Sequence, residues 1–160
     1  MSLKKACSQI RFELGQIEQL LDTYKDLLAE CRDREPDLIK MTAVASVLHS
    51  FYNGIESIFL SIAKEADGVV PSGVHWHRDL LVWMAQGNEK RTPVISSDLK
   101  EMLATYLGFR HFYRHSYSFH LEQAELKRLI EPITAVWDQF KREIQSFLSS
   151  LGHECAGDKL

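Results

Sequence analysis

Arg110, His111, Arg114 and His115 stand among Phe109, Phe112, Tyr113 and Tyr117 in one short stretch, Phe109 to Tyr117. No acidic residue interrupts the chain between Glu101 and Glu122, although the 160-residue protein carries a formal net charge of −3. A helix face that needed only to be soluble would mix signs, and this one does not. The local field is therefore positive in a mildly acidic protein, and something anionic is expected to meet it.

These residue types suit one kind of chemistry. Histidine is the side chain whose unperturbed pKa lies close to neutral, so it can give or take a proton at working pH. Arginine stays charged and offers a planar fork that matches phosphate oxygens. A histidine with one or two arginines can therefore run phosphoryl transfer without a metal, the histidine moving the proton and the arginine stabilising charge on the phosphorus oxygens. RNA brings its own nucleophile, the 2′-hydroxyl, so no activated side chain is needed.

The spacing within Arg110-x-x-x-x-His115-x-Tyr117 carries a geometric difficulty. On an ideal helix Arg110 and Arg114 share a face, as do His111 and His115. Arg110 and His115 diverge by roughly 140°, at about 100° per residue. They converge on one phosphate only if the helix is distorted or a second subunit completes the site. Two other readings stay open on spacing alone. The cluster also fits a satisfied helix–helix interface, and His111 with His115 could begin a metal site, though no third ligand stands at a recognisable spacing.

The elements around this stretch read as helices throughout, with no strand alternation and no repeat. Residues 3 to 32 form one long amphipathic helix, its seam running Leu3, Cys7, Ile10, Leu14, Ile17, Leu21, Tyr24, Leu28 and Cys31. Gly15 weakens the middle of this helix slightly, and a close helix approach is expected there. Asp33 to Asp37 connect it to a second helix, which pairs with the first as an antiparallel hairpin and ends near Asp67 at Gly68. The core stripe of that helix is Met41, Val44, Leu48, Phe51 or Tyr52, Ile55, Phe59 and Ile62, with His49 and Asn53 on its other side as a hydrogen-bonded or solvated pair. Val69 and Val70 anchor the following loop. A short helix spans about His77 to Gln86, where His75 and His77 cap and pack the start. Lys90 and Arg91 lie in the next loop as candidate rim contacts for a phosphate backbone. Ser96 or Ser97 caps the helix that carries the active stretch, which breaks near His120. A last helix, about Glu122 to Leu151, is kinked or restarted at Pro132.

Several of these pieces, in order, resemble the HEPN ribonuclease superfamily, and specifically its HepT-like branch. Besides Arg110, His115 and Tyr117, the resemblance rests on Asn53-Gly54-Ile55-Glu56-Ser57-Ile58-Phe59 followed by Ile62-Ala63-Lys64, and on Trp76-His77-Arg78-Asp79-Leu80-Leu81, and it covers roughly residues 36 to 150. It implies an all-α, up-and-down bundle of four to five helices acting as a dimeric, metal-independent endoribonuclease toxin. Arg110 and His115 would then be catalytic, with His111 and Arg114 supporting them at the phosphate. Two copies of the active helix would meet at the cleft. A nucleotidyltransferase antitoxin is the implied partner, attaching AMP to Tyr117. A catalytically silent subunit that binds nucleotide, or a dimerisation module for such a nucleotidyltransferase, is the alternative.

Composition agrees with one domain, residues 1–151, followed by a flexible tail, 152–160. Apolar residues make up 45% of the chain, enough for a core, and no apolar run approaches a membrane span. The N-terminal Met-Ser-Leu-Lys-Lys lacks the apolar block of a signal peptide. Cys7, Cys31 and Cys155 are odd in number and scattered, so neither a disulfide nor a zinc framework is expected, and a reducing, cytoplasmic home follows. No cofactor is implied. Net negative charge argues for weak, salt-sensitive RNA binding through the one local patch.

Overall fold

Helix α3, Leu38–Ile62, is the axis of the molecule. Its sequence is apolar on nearly every side and holds two charged residues, Lys40 and Glu56. Such a helix is stable only when wrapped by others. In the computed structural model, which describes residues 3–117, 120–152 and 155, every residue of the expected stripe is buried, Phe51 and Tyr52 both included. Asp37 begins α3 as its N-cap, accepting from the Lys40 backbone N–H at 2.8 Å. A π turn, Ala63–Asp67, closes it, and Gly68 follows with φ of 73°, the left-handed conformation that favours glycine.

The first expected helix is two. α1 covers Leu3–Thr23 and α2 covers Lys25–Asp33, joined at Tyr24. The seam is buried at Cys7, Ile10, Ile17, Leu28 and Cys31, while Tyr24 is exposed. The physical reason is packing: α1 lies along α3, whereas α2 turns to touch both α3 and a later helix, Gln123–Ile130. The close approach falls at Gly54 rather than Gly15. A Cβ on Gly54 would stand 2.6 Å from Cγ1 of Ile17, while nothing lies within 4 Å of one on Gly15.

α4, Trp76–Met84, buries Leu80, Leu81 and Met84 against α3 and the helix that follows it, Ser97–His115. Val69 and Val70, expected to anchor the preceding loop, are instead exposed. α5, Ser97–His115, is capped by Ser96, whose Oγ accepts from the Leu99 N–H at 3.2 Å. It stops at Ser116, ahead of the expected break. Pro132 restarts the last helix, giving α6, Gln123–Ile130, and α7, Ile133–Ser150. The seven α-helices among the described residues are thus five expected ones with the first and last each divided. No helix among the described residues is long and apolar enough to cross a membrane.

The cysteines depart from expectation. Cys7 and Cys155 form a disulfide with a Cα–Cα distance of 5.6 Å, and Arg11 donates to the Cys155 carbonyl. Sequence spacing hid the pair because it joins the two extremities of the bundle; Cys31 is free and buried. Of the segment read as a frayed tail, only Gly152 and Cys155 lie within the described residues, and Cys155 is buried.

Candidate functional site

Arg110 points inward. Only 9% of the residue is exposed, and its guanidinium is held by α3 and α4. Nε donates to Oδ1 of Asn53 at 2.6 Å, and Nη1 lies 3.4 Å from Oε1 and 3.5 Å from Oε2 of Glu56. Nη1 is also 3.1 Å from Nδ1 of His77. Nη2 has no hydrogen-bond partner among the described residues and is not sealed from solvent.

Asn53 and Glu56 reach Arg110 together because they sit one turn apart on α3. His49 precedes Asn53 by another turn, so His49, Asn53 and Glu56 form a polar line along one side of a largely apolar helix. The amide Nδ2 of Asn53 donates to Nε2 of His49 at 3.0 Å. That leaves Nδ1 of His49 as the protonated nitrogen, buried without a partner. Burial, then the positive charges of Arg110 and Arg114, hold the His49 pKa below the ordinary histidine value. The ring lies against Tyr113, with centroids 5.0 Å apart.

His77 completes the cluster from α4. Its Nδ1 stands 2.7 Å from Oε2 of Glu56. A carboxylate can only accept, so the ring nitrogen facing it carries the proton. The face of His77 stacks on Trp76, with centroids 3.5 Å apart. Capping and packing at the helix start was the expectation for this histidine. A hydrogen bond to the carboxylate of Glu56, on another helix, is what holds it. Beneath the cluster Tyr52 is buried, and burial together with the Glu56 charge pushes its phenol well above its ordinary pKa.

The remaining residues of the stretch face elsewhere. His111 and His115 are exposed, their rings 4.6 Å apart and tilted by 54°. Arg114 is exposed on the side that feels His49. Tyr117 lies beyond the end of α5, 73% exposed, its ring edge-on to His120 at 6.4 Å. None of the hydrogen bonds of Arg110 reaches His111, Arg114 or His115. The divergence expected from helical spacing is present within one chain. Among the described residues, no group of three His, Cys, Asp or Glu could hold a metal ion.

Arg91 is not available as a phosphate rim contact, whereas Lys90 is exposed and its ammonium is tied by one bond to Asp67. Arg91 is buried in a two-pronged pair with Asp67, at 2.7 and 2.9 Å, and Lys90 Nζ donates to the Asp67 carbonyl at 3.0 Å. The loop needs them to close on the end of α3. What sequence reasoning missed was the anchoring set for Arg110, namely Glu56 and His77. The signal was present: Glu56 is the lone acidic residue of α3 and falls among buried positions, where an unpaired carboxylate is too costly to keep.

A model of the HepT-like protein family matches residues 43–151, more than half the chain and all of the residues described at this site. The chain belongs to the HepT-like family. This HepT-like protein is also similar in fold to a solved structure, that of YutE from Bacillus subtilis, a cytosolic protein of unknown function. The two are 20% identical with a TM-score of 0.59, over 86% of this chain and 92% of that one. At that identity the likeness bears on fold alone. No curated protein matches.

Proposed function

We propose that this HepT-like protein is a metal-independent endoribonuclease, the toxin of a toxin–antitoxin pair, working as a homodimer. The observation that carries the reading is Arg110. An arginine pinned by Asn53 and Glu56, with Nη2 left over, is a preorganised donor for a phosphate oxygen, and a preorganised donor needs no rearrangement as charge develops. His115 acts as base toward the 2′-hydroxyl. The freed oxygen attacks phosphorus, the bond to the 5′-oxygen breaks, and a 2′,3′-cyclic phosphate remains. His111 and Arg114 bind the flanking backbone. A second copy of α5 supplies the His115 that one chain keeps apart from Arg110.

A nucleotidyltransferase antitoxin would silence the site by attaching AMP to Tyr117. The exposure of that phenol suits such a modification, and the added phosphate would lie near Arg114. A second reading is favoured by Glu56, which already offsets the charge of Arg110. On that reading the chain is a catalytically silent subunit that presents Tyr117 to its nucleotidyltransferase.

Pure protein incubated with mixed RNA in chelator separates the two. The enzyme reading expects cyclic-phosphate ends, lost by about 10²–10⁴-fold in Arg110→Ala and His115→Ala. Light scattering should give about twice the 18.4 kDa chain mass. Cleavage that survives His115→Ala at full rate would refute the mechanism, and absence of cleavage by the unmodified dimer favours the silent subunit.

A further inference from the structure

Cleaving RNA through its 2′-hydroxyl needs two proton transfers, one from the nucleophile and one to the departing 5′-oxygen. His115 accounts for the first. We infer that His77 is a second catalytic histidine, the general acid that protonates the leaving oxygen; the inference rests on the endoribonuclease reading.

Three observations carry it. The first is orientation. Glu56 takes the proton on Nδ1 at 2.7 Å, so the opposite nitrogen, Nε2, is the one left to exchange a proton with a substrate. A carboxylate that fixes the working nitrogen in this way also steadies the imidazolium. The second is position. Nδ1 of His77 lies 3.1 Å from Nη1 of Arg110, so a phosphate drawn to the arginine comes to rest beside this ring. The imidazole is stacked on Trp76 and retains 26% side-chain exposure, which leaves it both fixed and reachable.

The third is charge. The groups facing the His77 ring are Glu56 from α3 and Arg110 from α5. Their charges cancel. With a neutral ring the cluster carries no net charge and offers a phosphodiester only the Nη2 donor of Arg110, and with an imidazolium it carries one positive charge as well. The protonated ring is thus the form that binds substrate more tightly, which suits a general acid. In the step itself the P–O2′ bond forms as the P–O5′ bond breaks. The Nε2 proton passes to O5′, giving a 5′-hydroxyl, and neutral His77 regains its proton from water.

A substrate whose bridging 5′-oxygen is replaced by sulfur tests this directly, because a thiolate leaves without being protonated. His77→Gln should cleave ordinary RNA about 10²–10⁴-fold more slowly than wild type yet cleave the 5′-thio substrate at close to the wild-type rate. Rescue on the thio substrate also shows that the variant is folded. His115→Ala, lacking the base, should stay slow on both substrates. Glu56→Gln should fall between, with the same rescue, and carries the comparison if His77→Gln loses helicity. Equal rates for His77→Gln and wild type on ordinary RNA, or equal losses on both substrates, would overturn the role of His77 alone. A wild-type protein inert on both substrates would instead overturn the endoribonuclease reading and this inference with it.

Discussion

Two buried arginines pair with two buried carboxylates in this small bundle, and they are finished differently. Arg91 has five N–H groups and five hydrogen bonds: two to Asp67, and three to the carbonyls of Gln86, Thr92 and Trp83. Asn88 in turn donates to the same carboxylate at 3.1 Å. Nothing remains to offer a ligand. Arg110 meets Glu56 at 3.4 and 3.5 Å rather than in a tight fork, shares it with a titratable ring, and leaves Nη2 unused. Saturation fixes a loop to the end of α3 in one case. Incomplete saturation keeps a cation available in the other. A buried charge pair is therefore no guide to function until its donors have been followed to their acceptors.

The sharpest test removes each cation in turn. Arg91→Met strands Asp67, whose side chain is 5% exposed, and should cost about 3–5 kcal/mol in urea unfolding. Arg110→Met should cost less, about 1–3 kcal/mol, because Glu56 keeps His77 as a partner. If Arg110→Met proved the more destabilising of the two, the open cluster would have to be reclassified as a structural one. Smaller again is Asn53→Ala. It withdraws one acceptor from Nε of Arg110 while leaving Glu56 in place, so about 1 kcal/mol of stability should be lost. Its effect on RNA cleavage should exceed what that stability change explains, since the guanidinium loses its aim.

The smallest effect is in pH. The folded protein holds the His49 pKa below its ordinary 6.5 through burial and the charges of Arg110 and Arg114. The unfolded chain therefore takes up the proton first as pH falls. The stability linked to this group is present above about pH 6.5 and is lost as pH drops through the lower, folded value. Urea midpoints measured downward from pH 7 should fall less steeply in His49→Gln. Arg110→Met should flatten the same slope, whereas Arg91→Met should leave it unchanged.

Much of the fold could be read from residue order. The stripe on α3, the stop at Gly68, the cap at Ser96 and the restart at Pro132 are local signals, each acting within a turn or two of its own position. The break at Tyr24 was not legible, because the heptad seam continues unbroken through it and only contact with α6 diverts α2. The site divided along the same line. Arg110 and His115 stood out by type, and their divergence followed from helical geometry. The partners of Arg110 did not stand out, since Asn53, Glu56 and His77 lie 57, 54 and 33 residues away. Arg91 was misjudged for that reason too: a loop arginine gives no sign that a carboxylate at the end of α3 awaits it.

The link between Cys7 and Cys155 gives the molecule an unusual mechanical character. The two residues are separated by 148 positions in sequence, so the bridge short-circuits nearly the whole chain. Tension applied to the segments flanking it would travel through two sulfur atoms and bypass every described helix except the first turn of α1. At about 3.4 Å per residue, roughly 500 Å of contour length stays hidden from such a pull. A single-molecule stretching trace of the oxidised protein would show almost no extension, and added reductant would release that length at once.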